Sequence, residues 1–369
     1  MSGKVLISGA GIAGSTLGYW LGRNGFEVTI VERARAQRSS GNPIDVKGPA
    51  VEVVEAMGVM PALRAAASRV DRMSFVDTAG RRRSGLRLSA FQGGAGAREV
   101  EVARADLAAI LLDSARDRVE IRWGDSISGL TQGADGVDAD FESGATERYD
   151  YVIGADGLHS NVRRLAFGAE SEFIHHMGMY AATLPVDRAL GDETEVVMLN
   201  QPGRAISVHP AKGKAVAAFL FRRDAVPGFD HRDLAQHKRL VAEAYSEPLG
   251  IFADLLDQLK AADDIYFDSV SRISLPHWSS GRIALLGDAG SSLSLFGDGS
   301  TLAIAGAHTL AAELTRTPDH PHTAFAAYEQ RHRTLVEPKQ RGFRAATALM
   351  VPATSAGIAI RNTVTRFLR

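Results

Sequence analysis

The alternation of apolar and polar positions is clearest over the first forty residues. Lys4 to Ser8 forms a short apolar run, the pattern of a strand buried on both faces. A helix is expected to follow as far as Asn24, with Gly25 in the C′ position where a left-handed residue ends a helix. Glu27 to Glu32 predicts a second, parallel strand that ends in an acid. Farther on, Tyr149 to Gly154 predicts a strand, Asp156-Gly157 a tight turn, and Ser160 and Asn161 a helix start with Arg163 in its first turn. Arg282 to Leu286 predicts another strand, closed by Gly287-Asp288, with a long helix from about Ser300 to Leu314.

The period changes between residues 171 and 270. Glu195 to Asn200, Ala205 to His209 and Lys214 to Arg222 have the length and partial alternation of antiparallel strands. Helical spacing then runs over 231–247 and 249–262, broken at Pro248, which a helix interior rejects. Leu234, Val241 and Ala244 mark the apolar face of the first, and Leu255, Leu256 and Leu259 that of the second. Phe219, Phe221 and Met198 read either as pocket lining or as core, with core preferred for each.

The turn after the first strand is Gly9-x-Gly11-x-x-Gly14. Gly9 permits the tight turn, Gly11 lets a pyrophosphate approach the backbone, and Gly14 lets helix and strand pack closely. Ile12 and Ala13 begin the helix, whose free N–H groups and positive dipole end suit phosphate. Glu32, eighteen residues beyond Gly14, is placed to accept hydrogen bonds from ribose hydroxyls. Arg33 reads as a solvated cation and Arg35 as one able to reach the adenosine end. A terminal Glu favours an unphosphorylated ribose, so FAD or NAD fits better than NADP.

Composition narrows the class. The 369 residues are 45% hydrophobic and 23% charged, with a net charge of -1. That suits a globular protein and sets up no basic field for nucleic acid or anionic lipid. The absence of cysteine excludes disulfides, thiolate metal sites and a cysteine nucleophile, and fits a reducing cytoplasm. No secretory segment leads the sequence, and no apolar run reaches the roughly 20 residues of a membrane span. The nearest case, Ala345 to Ile360, is interrupted by Pro352 and reads as packed or interface helix. The eleven histidines show no metal pattern: His175 and His176 are adjacent, while His320, His322 and His332 lie among charges and prolines. No metal, nucleic-acid partner or membrane association is expected, and no hydrolase elbow is present.

The fingerprint at 9–14, the Asp156-Gly157 site and the Gly287-Asp288 site come in an order and spacing that covers nearly the whole chain. Together they resemble the group A flavoprotein monooxygenases, the aromatic-hydroxylase (p-hydroxybenzoate hydroxylase-like) family. The resemblance implies an α/β fold: a Rossmann-like FAD-binding domain with a parallel sheet, an inserted antiparallel β-sheet substrate domain, and C-terminal helices. It implies residues 1–70, 99–170 and 271–330 for the first, 71–98 and 171–270 for the second, and 331–369 for the helical segment. Gly9, Gly11, Gly14 and Glu32 match the ADP part of the FAD site. Arg104 matches an arginine that contacts FAD ahead of a helix; taken alone it reads as a surface cation. Asp156 matches an acid supporting both FAD and the region where NAD(P)H acts, and it also stabilises its own turn. Gly287 and Asp288 match the site of the ribityl or pyrophosphate part, and Gly299, Ser300, Thr301 and Leu302 the peptide facing the isoalloxazine. Asp45 and Lys47 lie where relatives approach the flavin, with a surface ion pair as the equal alternative. The implied cofactor is FAD with NADPH or NADH as reductant, and the implied partner is a small aromatic or polyketide-like molecule.

The pattern departs in one place. Relatives commonly continue Gly-Asp-Ala with Ala-His and set a proline before a glycine pair. Here Gly290, Ser291 and Leu295 hold those positions, and the segment to Gly299 is one residue short. Gly287, Asp288 and the helix start remain, so flavin binding is expected. Oxygen chemistry, which needs a dry and ordered wall, is left between two readings. One is NAD(P)H-dependent hydroxylation in secondary metabolism. The other is a non-redox cyclase, such as a 4+2 decalin-forming one, that keeps FAD as structure. No residue is assigned a catalytic role from the sequence.

Overall fold

In the computed structural model, which describes residues 3–37, 43–87, 98–210, 215–292 and 298–366, the apolar run Lys4–Ser8 lies inside a six-stranded sheet. It pairs in parallel with Tyr151–Gly154 on one side and Glu27–Glu32 on the other, so Ile7 sits between Ile153 and Ile30. Ile283–Leu285 and Glu120–Trp123 extend the sheet in parallel, and Ser279–Ser280 closes one edge in the antiparallel sense. Parallel neighbours need a crossover. The helix Ile12–Arg23 supplies it between the first two strands. It ends where the glycine pattern places its end: Asn24 is the cap, and Gly25 takes φ 85°. Val5, Leu6 and Ile7 are wholly buried, as strands covered on both faces must be.

A second, seven-stranded sheet is mainly antiparallel. Its order is Tyr266–Ile273, Ile174–Val186, Ala215–Arg222, Arg204–His209, Glu195–Gln201, Arg72–Val76 and Arg82–Arg87. One face packs on helices Leu234–Ala244 and Ala253–Ala261 through Phe219, Phe221, Val241 and Leu259. Pro248 falls in the break between those helices, and Asp233 caps the first through the Gln236 N–H. Met198 points the other way, into a cluster with Phe75, Met179 and Val351. The three candidate lining residues thus divide: Phe219 and Phe221 are core under the helices, and Met198 faces the opposite side. Hereafter this sheet is the roof.

Two smaller sheets complete the strands: Ile127–Gln132 with Val137–Phe141 and Thr146–Tyr149, and a ribbon of Ile44–Val46 with Val100–Val102. The long helix Asp298–Arg316 leads into Pro321–Met350, and Ser355–Arg366 packs on the face of the roof opposite its two helices, where Arg361 stacks on the Phe75 ring. His332 is not among exposed charges as its sequence neighbours suggest. It is buried beneath Gly306, and burial holds its pKa down at about 4.

Candidate functional site

The glycine turn is a cradle with one open side. At Gly9, φ is 105°, and a Cβ would lie 2.6 Å from the Ala155 carbonyl oxygen. At Gly14 a Cβ would lie 1.9 Å from the Gly9 oxygen, so helix and turn touch only because both side chains are missing. At Gly11 a Cβ would meet nothing within 4 Å. Gly11 is also the N-cap of the fingerprint helix, with no side-chain cap and no acid in the first turn. The helix-start amides at Ile12, Ala13 and Gly14 have no intrahelical partner, as at any helix N-terminus. Uncapped donors beside an open space, with positive dipole end, fit a pyrophosphate.

Glu32 lies beside that cradle. Its Oε2 accepts from the Ala10 N–H at 3.0 Å and its Oε1 from the Ala34 N–H at 2.8 Å. The carboxylate therefore ties the glycine turn to the turn after the second strand, and each oxygen keeps a second acceptor direction. Arg33 and Arg35 are exposed.

Asp156 is half-buried and accepts from the Asn161 and Val162 N–H groups at 2.8 and 3.1 Å, and from Ser8 Oγ at 3.3 Å. Ser160 Oγ donates to its other oxygen. Burial pushes its pKa up against these donors. The turn-stabilising part of its expected role is thus geometrically explicit. The same turn supplies Arg163, which is fully buried rather than a surface cation. Its Nη1 donates to the Ala289 carbonyl at 2.9 Å, joining the Asp-Gly turn to the Gly-Asp turn. His159 bridges Glu170 and Asp268 of the roof, each at 3.0 Å. Burial disfavours its charge, yet the two carboxylates hold its pKa up at about 9.

Gly287, at φ 62°, closes the third turn, and a Cβ there would lie 3.0 Å from Ala13 Cβ on the fingerprint helix. Asp288 Oδ1 lies 3.7 Å from the place a Cβ would take on Gly299, so this acid faces the start of the long helix. Ser300 Oγ and Thr301 Oγ1 donate to the Asp45 carbonyl at 2.8 and 3.3 Å, and Leu302 is buried behind them. Lys47 pairs with both Asp45 and Asp298, at 3.3 and 3.2 Å, and Lys339 reaches the same Asp298 oxygen at 3.4 Å. The Asp45–Lys47 pair is therefore part of a network that pins the ribbon to the long helix. Gly290 packs against Leu285, where a Cβ would come within 3.2 Å of Leu285 Cβ. Leu295 and Gly297 lie outside the described residues.

Three turns far apart in sequence thus meet at the N-terminus of one helix. A family model described as an FAD binding domain matches residues 2–337. The chain belongs to this FAD-binding family. An uncharacterized protein of Mycobacterium tuberculosis is 37% identical over 348 residues, covering 91% of each chain. A flavin-dependent monooxygenase of an unknown prokaryotic organism is 36% identical, over 91% of this chain and 87% of its own. The crystal structure of tetracycline destructase Tet(55) superposes with a TM-score of 0.84 at 33% identity, over 99% of this chain and 95% of that one. The protein is an FAD-dependent oxidoreductase of the monooxygenase kind.

Two features of this flavoprotein were invisible in its sequence pattern. Arg104, exposed at the start of helix Arg104–Ala115, lies within electrostatic reach of Tyr266 on the roof, whose pKa burial pushes up. Glu101 of the ribbon sits opposite Asp45 and accepts from His209 of the roof at 2.9 Å and Ser68 Oγ at 2.6 Å. Neither pair has a local signal. Each joins residues brought together by the packing of roof on ribbon. Among the described residues no helix is long and apolar enough to cross a membrane.

Proposed function

We propose that this protein uses NADH or NADPH and dioxygen to hydroxylate an aromatic or polyketide-like small molecule beneath the roof, in the cytoplasm. One oxygen atom enters the substrate C–H bond, the other leaves as water, and the two electrons come from the nicotinamide. Bound FAD supplies the hydride-accepting and oxygen-activating ring. The observation that carries the reading is the convergence of the three turns on a helix N-terminus that has no side-chain cap and lies open at Gly11.

Each residue then has a stated task. The Gly9–Gly14 turn with Ile12 and Ala13 holds the pyrophosphate, and Glu32 accepts from the ribose hydroxyls. Asp288 binds the ribityl–phosphate part, facing Gly299 across the gap. The long helix directs its N-terminal amides, from Gly299 to Leu302, toward negative charge on the ring edge. Lys47 and Lys339 fix that helix start through Asp298. Arg104 contacts FAD from the ribbon side, and Asp156 fixes the turn beneath it. The roof excludes water from the space below. The name of the Tet(55) structure supports a fused polyketide as one member of the substrate class.

The test is direct. Purified protein should carry FAD and, without oxygen, lose its yellow colour on addition of NADH or NADPH, faster with substrate present. With isotopically labelled dioxygen, label should enter the product; nicotinamide consumed without product emerges as hydrogen peroxide. A bound flavin that neither nicotinamide reduces refutes the reading and favours the non-redox cyclase.

A further inference from the structure

Helix Pro321–Met350 lays one stripe on the flavin-binding part of the molecule. Phe325, Tyr328, His332, Val336 and Lys339 recur three and four residues apart, so they share a face. The first four are buried, and Tyr328 and Lys339 brace the flavin site. Tyr328 Oη donates to the Leu285 carbonyl at 3.2 Å, just before the Gly287-Asp288 turn. Lys339 pairs with Asp298, the first residue of the long helix, at 3.4 Å. His332 stands between these two braces. Pro338 weakens the helix just beyond it, having no N–H to give to the Thr334 carbonyl.

The packing around His332 suits only a neutral ring. Neither ring nitrogen has a hydrogen-bond partner among the described residues. Its Nε2 lies 2.7 Å from the place a Cβ would take on Gly306, so the ring fills the gap that this glycine leaves in the long helix. The ring stacks on Tyr328 at 5.8 Å between centroids and meets Trp278 edge-on at 5.9 Å. The charged groups of the surrounding elements are engaged elsewhere. On the long helix, Glu313 is taken by Arg316 and Arg331, and His308 turns to Trp20. On the helix of His332 itself, Glu329 pairs with Arg333 and accepts from the Trp278 N–H, with His277 beside that carboxylate. Burial alone holds the pKa of His332 down at about 4. A proton there creates an unpaired buried charge, which is relieved only when the ring moves toward water.

We propose that His332 is an acid-sensitive latch on the flavin site: neutral, it lets helix Pro321–Met350 lie against the long helix, and protonated, it lifts that helix and frees the cofactor. Lifting the middle of the stripe loosens both braces, because Tyr328 and Lys339 flank the ring on the same face. The direction with pH follows. The lifted ring takes a proton at the ordinary value of 6.5, the latched ring only at about 4. The latch therefore holds in full above pH 6.5 and weakens as pH falls toward 4. At pH 5 the lifted form gains about thirtyfold over its share at pH 8. This rests on the placement of the flavin at the Gly287-Asp288 turn and the start of the long helix.

The experiment uses the FAD-loaded full chain, with flavin content at pH 8 measured first and separately. Release of FAD on strong dilution is followed by the rise in flavin fluorescence at pH 8, 6 and 5. Wild type should release FAD about thirtyfold faster at pH 5 than at pH 8, and return to pH 8 should restore binding. His332→Phe keeps an aromatic ring and takes no proton, so its release rate at pH 5 should stay near its pH 8 value. His237 and His308, whose pKa burial also lowers, titrate alike in both proteins and drop out of the comparison. Imidazole nitrogen NMR of the wild type is the safeguard should the variant fail to fold. The His332 signal, identified by its contacts with Tyr328 and Trp278, should stay that of a neutral ring down to about pH 5. Equal acceleration in wild type and His332→Phe, or a His332 ring that titrates near 6.5, overturns the latch and leaves the flavin placement intact. Protein that takes up no FAD at pH 8, with a ring that still resists protonation, overturns the flavin placement and keeps the latch between the helices.

Discussion

Gly11→Val separates cofactor binding from folding more cleanly than any other change in the fingerprint. A Cβ at Gly11 would meet nothing within 4 Å, and the residue's φ of −77° and ψ of −169° suit a β-branched side chain. Nothing in the protein itself should resist the substitution. Loss of a glycine's unfolded-state freedom adds about 0.4–1 kcal/mol of stability, and the poorer N-cap character of valine offsets a similar amount. The melting temperature of the flavin-free protein should therefore barely move. The branched side chain does fill the open space at Gly11 beside the helix-start amides, where the pyrophosphate is placed. Free FAD at about a hundred times its Kd stabilises the wild type by about 2.7 kcal/mol; the variant should show none of that shift. The assay is thermal melting of flavin-stripped protein with and without added FAD, alongside flavin content after purification. Gly14→Ala is the contrast, because its Cβ would lie 1.9 Å from the Gly9 oxygen and should lower stability even without flavin. A Gly11→Val protein that purifies fully yellow with the wild-type melting shift would falsify the placement of the pyrophosphate.

Glu32→Ala removes the acceptor held by the Ala10 and Ala34 N–H groups and should weaken FAD binding by about tenfold or more; an unchanged Kd in a direct titration contradicts the ribose role. Asp288→Ala should purify without flavin, and retention of stoichiometric FAD sinks the assignment at Gly287-Asp288. His159 makes a pH prediction. Its folded pKa of about 9 lies above the ordinary value of 6.5, so the His159 clamp stabilises fully below about pH 6.5 and is lost as pH rises through 9. Melting temperatures from pH 7 to 10 should fall less steeply for His159→Gln than for wild type, and parallel curves would show that the bridge to Asp268 and Glu170 does not set this slope.

The parts legible in the sequence are those decided by residues close together along the chain. The Gly9–Gly14 turn, the helix end at Gly25 and the strand Glu27–Glu32 follow from which dihedrals a residue tolerates and how often apolar side chains recur. Pro248 marks a helix break for the same local reason. The long helix begins at Asp298 and ends at Arg316, slightly beyond the expected span, because helix ends depend on partners as much as on propensity. What the tertiary structure alone decided is which faces meet. Phe219 and Met198 both read as strand residues with core character, and only the pairing of their strands sends one under the helices and the other under the roof. Arg163 looked like an ordinary first-turn cation until folding set it against Ala289, 126 residues away. The same holds for His159 with Asp268, for Lys47 with Asp298, and for His332 with Gly306. Such contacts are fixed by register and by the packing of one sheet over another. Neither leaves a mark on the residues nearby in sequence, so a period or a propensity cannot carry them.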